Sequence, residues 1–355
     1  MKPMKRDSTN GLVQMVACVA NGYGEADEVL AFRQDFPAPV ITRPDQIVIR
    51  VTNAVINPVD CKLRGGFMKA VTRFKFPKVL GIDCAGVVVA AGPAVRRLKV
   101  GDAVLGFAAD GCYAQYAINS ENRFWRKPDG LPFDFASILP SSGVTVFQAF
   151  TCLPDMPEKV RRGPVFVQGG SGGTGSLAVM LAKHYFKAPV VFATCSTRNL
   201  DYVARMGADR VIDYTREDFE QVIRQEYGRP IPFVLDCAGG SYETWRRAQR
   251  LLAPDGALAS IAYPFDERKM TAWDFARLLV SIGANKLRHF LGAPHFFWHM
   301  GDAKENEVGI LAAFFVQHPE LREMVLINHF PLTQLAEAYR HVEHHQGGKA
   351  VIDIS

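Results

Sequence analysis

Residues 164 to 175 read Pro-Val-Phe-Val-Gln-Gly-Gly-Ser-Gly-Gly-Thr-Gly, a short apolar segment running straight into a glycine cluster, and the helical run Leu177 to Tyr185 follows at once. A strand that turns sharply into a helix through glycines brings bare backbone amides to the helix N-terminus, where they face a phosphate. Gly170, Gly172 and Gly175 fit G-x-G-x-x-G. The first glycine allows the tight turn, the second lets backbone approach a pyrophosphate, and the third permits close packing of helix on strand. Ser171, Gly173 and Thr174 complete this candidate cofactor loop. Glycine-rich turns also occur as ordinary loops, so it is the strand before and the helix after that select the nucleotide reading.

Around this turn the chain changes character. Before it lie β signals punctuated by turns: Met15 to Ala20, Gln46 to Val55, Ala85 to Ala91, Ala103 to Phe107 and Tyr113 to Ile118, with Gly65-Gly66, Gly92-Pro93, Gly101-Asp102 and Gly111 between or beside them. From Pro140 strands and helices alternate, which predicts a parallel sheet flanked by helices. The strands expected are Val165 to Gln168, Val190 to Thr194, Arg210 to Asp213, Phe233 to Asp236 and Ala257 to Ala262, with a sixth within His295 to His299. The helices expected lie near 176–187, 198–206, 216–227 and 241–252. The tail carries an amphipathic helix around Leu332 to His344 and a last strand, Ala350 to Ile354, expected to return to the β domain. The fold class is thus α/β: a β domain over 1–139, a doubly wound parallel-sheet domain over 140–318, and a returning segment over 319–355.

A dinucleotide site of this kind ordinarily places Asp or Glu at the end of its second strand, to hold the adenosine ribose. Here that place reads Thr194-Cys-Ser-Thr-Arg198. No carboxylate there repels a 2′-phosphate, and Ser196, Thr197 and Arg198 can donate to one, so NADPH is expected over NADH. The competing reading is that Arg198 simply opens a solvated helix. Tyr214, after the third strand, can stack near adenine or phosphate or be a half-buried core tyrosine. The ends of strands four and five bring Ala238, Ala262 and Tyr263 to the carboxyl edge, where the nicotinamide ribose is expected.

A formal charge of +5 with scattered Lys and Arg permits an anionic ligand or a weak RNA contact without pointing to either. Seven cysteines with no C-x-x-C pair indicate reduced thiols rather than a disulfide framework or a zinc knuckle. No apolar stretch is long enough to span a bilayer. A cytoplasmic location is the default expectation, with an organelle left open.

The order of β domain, mid-chain glycine turn and return resembles the medium-chain dehydrogenase/reductase superfamily. Asn57-Pro-Val-Asp-Cys-Lys-Leu-Arg-Gly-Gly66, Leu80-Gly-Ile-Asp-Cys-Ala-Gly-Val87, Val100-Gly-Asp-Ala-Val104, Leu139-Pro-Ser-Ser-Gly-Val-Thr145 and Gly207-Ala-Asp-Arg-Val-Ile-Asp-Tyr214 are similar to its quinone oxidoreductase branch. Tyr242-Glu-Thr-Trp245 and the aromatic segment before the tail resemble the reticulon-4-interacting-protein type, and the Asn57 region also resembles plant alkenal reductases. The resemblance implies a GroES-like β domain, a Rossmann nucleotide domain and a homodimer. A short-chain dehydrogenase would carry its glycine turn near the N-terminus and a Tyr-x-x-x-Lys pair, and this chain has neither.

Zinc-dependent members of that superfamily bind catalytic metal through Cys, His and Cys at places that here read Asn57, Ile82 and Ser141. Isoleucine cannot coordinate zinc, and the other two are poor ligands, so no metal is expected. The His295/His299 and His341/His344/His345 groups lack a cysteine or carboxylate partner and read as packed or solvated faces. The resemblance places Asn57, Asp60 and Lys62 in an active-site loop and Thr145 near the nicotinamide; Lys349 is added to the cofactor set. Asp60 and Lys62 also read as a structural ion pair, and Thr145 as a helix cap. Without a Lewis acid, alcohol oxidation is a poor candidate, and hydride delivery from NADPH to a quinone or an α,β-unsaturated carbonyl is the expected reaction. Enoyl-thioester reduction, and nucleotide-regulated binding of RNA or protein with little turnover, are the alternatives.

Overall fold

The computed structural model describes residues 14–67, 69, 73–239, 241–262, 273, 277, 278, 280–285, 292–298 and 305–354. Two compact units emerge: one of Met1–Ser141, Ala303–Arg322 and Leu326–Ser355, the other of Ser142–Asp302 and Glu323–Val325.

The first unit opens with β1 (Gln14–Ala20), β2 (Leu30–Pro37), β3 (Gln46–Ile56), helix α1 (Pro58–Gly65), β4 (Lys78–Val79), β5 (Asp83–Ala91), β6 (Ala103–Phe107), β7 (Tyr116–Ser120) and β8 (Phe124–Arg126). A three-stranded sheet runs β2-β1-β4, and a larger antiparallel arrangement is built on β3, which pairs with both β5 and β7. Ile47, Val48, Ile49, Val51, Ala54 and Val55 of β3 are fully buried, so this strand carries apolar side chains on both faces. The strand expected over Tyr113 to Ile118 is divided between two sheets. Ala114 bridges Ala17 of β1 and the Cys18 N–H donates to Tyr113 O at 2.9 Å, whereas pairing with β3 begins at Tyr116. Helix α1 was not anticipated, although Pro58 at its first turn is preorganised for helix entry. It ends on Gly66, whose left-handed φ of 83° favours glycine.

The second unit begins with α2 (Val144–Phe150) and then alternates β9 (Val165–Gln168), α3 (Gly173–Met180), β10 (Val191–Cys195), β11 (Arg210–Asp213), α4 (Phe219–Tyr227), β12 (Ile231–Asp236), α5 (Tyr242–Gln249), β13 (Leu252–Ser260) and β14 (His295–Trp298). The sheet order is β11-β10-β9-β12-β13-β14, with every neighbouring pair parallel. The chain winds outward from β9 in one direction, then crosses to β12 and winds the other way, so the strand order reverses beside β9. That reversal is where an open parallel sheet leaves a crevice at the carboxyl ends of its strands. β9 and β10 are buried throughout, which is why both read as unbroken apolar runs rather than alternating ones. The fifth strand starts earlier than expected, at Leu252, and ends at Ser260, although the Ile261 N–H still donates to Asp236 O of β12 at 3.0 Å. Asp218 caps α4 by accepting the Gln221 N–H, and Phe219 of that helix stacks on Phe166 of β9 at 5.2 Å.

After the second unit, β15 (Ile327–Pro331), α6 (Leu335–Glu343) and β16 (Lys349–Asp353) rejoin the first. β16 pairs antiparallel with β3, Ala350 opposite Ile56 and Asp353 opposite Asn53, and parallel with β15. Leu335, Ala338 and Tyr339 form the buried stripe of α6. Among the described residues no helix is long and apolar enough to cross a membrane.

Candidate active site: a glycine turn and a buried polar cluster

The glycine turn of the second unit is set by Gly169, one residue before the first glycine of the expected pattern. Gly169 has φ +76°, a left-handed conformation that L residues rarely adopt, and its N–H donates to Thr194 Oγ1 at 3.0 Å. The Gly170 N–H donates to Thr194 O at 2.8 Å, tying the turn to the end of β10. Gly175 does what the third glycine was expected to do: a Cβ there would lie 2.0 Å from Gly169 O. At Gly172, which caps α3, a Cβ would meet only Gly169 O at an ordinary 3.5 Å, and the residue is exposed. Ser171, Gly173 and Thr174 are half-buried, and Thr174 Oγ1 lies 3.5 Å from Ser142 Oγ.

Beyond β10, Ser196 is half-buried and Thr197 and Arg198 are exposed on a single 3-10 turn, Thr197–Asn199. Tyr214 is 61% exposed, so it is not a half-buried core tyrosine. The sequence reading missed Asp213, which stands directly opposite Cys195 on the neighbouring strand. Its carboxylate is turned inward, accepting from Thr197 Oγ1 and from the Thr215 N–H and Oγ1, and these bonds hold its pKa below the usual carboxylate range. A second missed carboxylate, Asp236, is fully buried at the end of β12. It accepts from Trp245 Nε1 at 2.7 Å, Ser260 Oγ at 2.8 Å, the Gly239 N–H at 2.9 Å and the Ala238 N–H at 3.0 Å. Asp236 therefore shapes the loop that exposes Ala238, while Ala262 is half-buried after β13. Tyr263 and His299 lie outside the described residues. Thr145 is half-buried inside α2, which follows a π-helical turn over Leu139–Gly143, and it is not the residue that caps the helix.

In the first unit, Asn57, Asp60, Asp83, Ser141 and Lys349 gather at the start of α1. Asp60 Oδ2 accepts the Asn57 N–H at 2.8 Å, the acidic half of a capping box. The Asn57 amide turns to two charged partners: its Nδ2 donates to Asp83 Oδ2 at 3.0 Å, and Lys349 Nζ donates to its Oδ1 at 3.3 Å. Asp83 also accepts the Ser141 hydroxyl at 2.6 Å and the Ser141 N–H at 3.2 Å. Asn57, Asp60, Asp83 and Lys349 are 4%, 2%, 0% and 3% exposed. Lys62 is half-buried further along α1. Burial also pushes the Cys61 thiol well up, which leaves it a poor nucleophile.

Burial lifts the Asp60 carboxyl to about 8, with the Asp83 charge adding to the rise, and lifts Asp83 to about 6 against its hydrogen bonds. Burial lowers the Lys349 ammonium to about 8, opposed by both carboxylates. The folded state thus holds the carboxyl protons more tightly than an unfolded chain. The stability they contribute is complete below the ordinary aspartate value of 3.8 and is lost as pH rises through about 6 for Asp83 and about 8 for Asp60. Each fully engaged group costs about 1.4 kcal/mol per pH unit. Lys349 works in the opposite sense above about pH 8, where the folded state favours the neutral amine. We expect Asp60→Asn to flatten the fall in urea-unfolding free energy between pH 6 and pH 8; an unchanged slope would remove Asp60 as its source.

Residues 43–129 match the alcohol dehydrogenase GroES-like domain, and residues 173–287 match the zinc-binding dehydrogenase family. Human NAD(P)H oxidoreductase RTN4IP1, mitochondrial, is 30% identical over 96% of this chain and 89% of its own length. The chloroplastic NADPH-dependent alkenal/one oxidoreductase of Arabidopsis thaliana is 38% identical over 59% of this chain and 55% of its own. The solved quinone oxidoreductase from Coxiella burnetii superposes with a TM-score of 0.78 at 28% identity, covering 96% of this chain and all of that one. Although one matched family is described as zinc-binding, the residues here do not fit a zinc ion. Ile82 offers no donor atom, and Asn57 and Ser141 are engaged with Asp83 and Lys349. Among the described residues no three His, Cys, Asp or Glu side chains gather as a metal site. With its doubly wound sheet, glycine turn and returning β domain, the chain belongs to the medium-chain dehydrogenase/reductase superfamily, among relatives that include the NAD(P)H oxidoreductase RTN4IP1 and quinone oxidoreductase homologues.

Proposed function

We propose that this chain is an NADPH-dependent reductase that delivers hydride to quinones or α,β-unsaturated carbonyls without a metal. The observation that carries the reading is the Asn57–Asp83–Ser141–Lys349 cluster, whose members are bonded to one another where zinc-dependent relatives need metal ligands. Alcohol oxidation benefits from a Lewis acid on the alkoxide. A conjugated acceptor already spreads the incoming charge onto its oxygen, so alignment and a hydrogen-bond donor suffice. The names of several relatives point the same way, including a 2-methylene-furan-3-one reductase from tomato, Solanum lycopersicum, and a quinone-oxidoreductase homolog from spinach, Spinacia oleracea.

The residues present fit NADPH. Gly175 lets α3 close on the turn, exposed Gly172 leaves room for a pyrophosphate, and the first amides of α3 face it. Arg198 and Ser196 would hold the 2′-phosphate, and the exposed Tyr214 ring would be free to stack beside the adenosine. Ala238 and Ala262 would line the nicotinamide ribose with backbone, and Thr145 would orient the ring. Bound NADPH would supply the hydride, Asn57 and Lys62 would orient the acceptor oxygen, and the buried Asp60 carboxyl would hold a proton beside Asn57.

Purified protein should oxidise NADPH with phenanthrenequinone or a short alkenal at a rate that a chelator leaves unchanged. Loss of turnover on metal removal would sink the metal-free reading, and turnover confined to an enoyl thioester would move the substrate class. Arg198→Ala should raise KM for NADPH about tenfold while changing KM for NADH little, and an equal rise for both would remove Arg198 from phosphate recognition.

A further inference from the structure

Lys349 has a task that its place in the sequence does not reveal. It opens β16, its Nζ reaches Asn57 Oδ1 at 3.3 Å across 292 residues of chain, and it is 3% exposed. Gly347 and Gly348 precede it with φ of 90° and 70°, and a Cβ on Gly348 would lie 2.5 Å from Leu326 O. The Lys349 N–H then donates to that same Leu326 O at 2.8 Å. A turn that admits only glycine therefore fixes where the lysine side chain starts.

The two ends of a primary amide have nearly the same shape, so their neighbours decide which way it faces. Here the neighbours carry opposite charges. An ammonium donates to the oxygen of Asn57, and a carboxylate accepts from its nitrogen at 3.0 Å. Turning the amide over would set NH2 against the ammonium and C=O against the carboxylate, two repulsions among side chains that are almost fully buried. Asp83 cannot swing away to relieve this, since Ser141 holds it through both hydroxyl and backbone N–H.

We propose that Lys349 is the positioning residue for Asn57, its ammonium holding the amide oxygen so that one edge of the amide, and not the other, is presented to the reacting partner. The role rests on the reductase reading for its kinetic consequence but not for its geometry. Lysine, with a mobile point charge on a flexible stem, does this by being clamped at its base by the glycine turn and at its tip by Asn57.

The test uses full-length Lys349→Met beside the wild type, with asparagine selectively labelled with ¹⁵N. The variant should lose kcat with phenanthrenequinone by about tenfold or more with KM for NADPH within about twofold, and the Asn57 side-chain amide should lose its protection from solvent exchange. Unchanged kcat with a protected amide would overturn the proposal. If the single variant does not fold, Lys349→Met combined with Asp83→Asn removes both charges together. A folded double variant with low kcat and an exchanging amide supports positioning, whereas recovery of wild-type kcat would show that the lysine merely offsets the Asp83 charge. Wild-type protein that reduces no quinone or enone would sink the proposed reaction, yet the exchange readout would still decide the role of Lys349.

Discussion

Replacing Gly175 with alanine is expected to abolish useful NADPH binding, raising the dissociation constant about a hundredfold or more and lowering the melting temperature. The added Cβ would sit 2.0 Å from Gly169 O and 2.9 Å from Gly169 C. Both are backbone atoms of the turn itself, so no side chain can swing aside to make room. Either α3 retreats from β9 or the Gly169 turn opens, and each moves the amides that would face a pyrophosphate. Overpacking of this kind costs about 1–3 kcal/mol or more before any ligand is considered. Gly172→Ala is the matched control, because its Cβ would meet nothing closer than Gly169 O at 3.5 Å. That variant should fold normally, and any affinity it loses reports the approach of the phosphates rather than damage to the turn. Fluorescence titration with NADPH, alongside thermal melting, separates the two, and wild-type affinity in Gly175→Ala would refute this account of the turn.

Asp236→Ala should destabilise the second unit by about 3 kcal/mol or more. The carboxylate accepts the Trp245 indole N–H, the Ser260 hydroxyl and two loop N–H groups, and it is completely buried. Removing it strands several donors at once, each costing about 1–3 kcal/mol when buried without a partner, and the losses overlap rather than add. Asp236→Asn keeps one acceptor oxygen and should lose less. Urea unfolding monitored by tryptophan fluorescence measures both, and a loss below about 1 kcal/mol for the alanine variant would mean that water or a shifted loop satisfies these donors.

The parts of the fold legible in sequence were those written in local patterns. β9 and β10 are buried on both faces and so appear as plain apolar runs, and the glycine turn announces itself because Gly175 must lack a Cβ. What lay beyond reach were choices made by distant partners. Tyr113 looks like part of a strand until β1 claims its carbonyl. Asp213 gave no local sign of its role because it belongs to β11, whereas its partner Thr197 follows β10. Asp236 gave no sign of its role because its partners, Trp245 and Ser260, are 9 and 24 residues away. Lys349 could be singled out, but its contact with Asn57 depends on the pairing of β16 with β3, which no local pattern encodes.

That pairing also has a consequence for biosynthesis. β3 emerges from the ribosome well before its antiparallel neighbour β16, so Ala54, Val55 and Ile56 have no partner on that side until Ala350, Val351 and Ile352 have been made. The second unit draws almost wholly on one continuous stretch, 142–302, and can fold while the tail is still being translated. A ribosome that stops short of residue 349 would therefore release a chain whose nucleotide turn is complete, but with an open sheet edge exposed to aggregation and quality control.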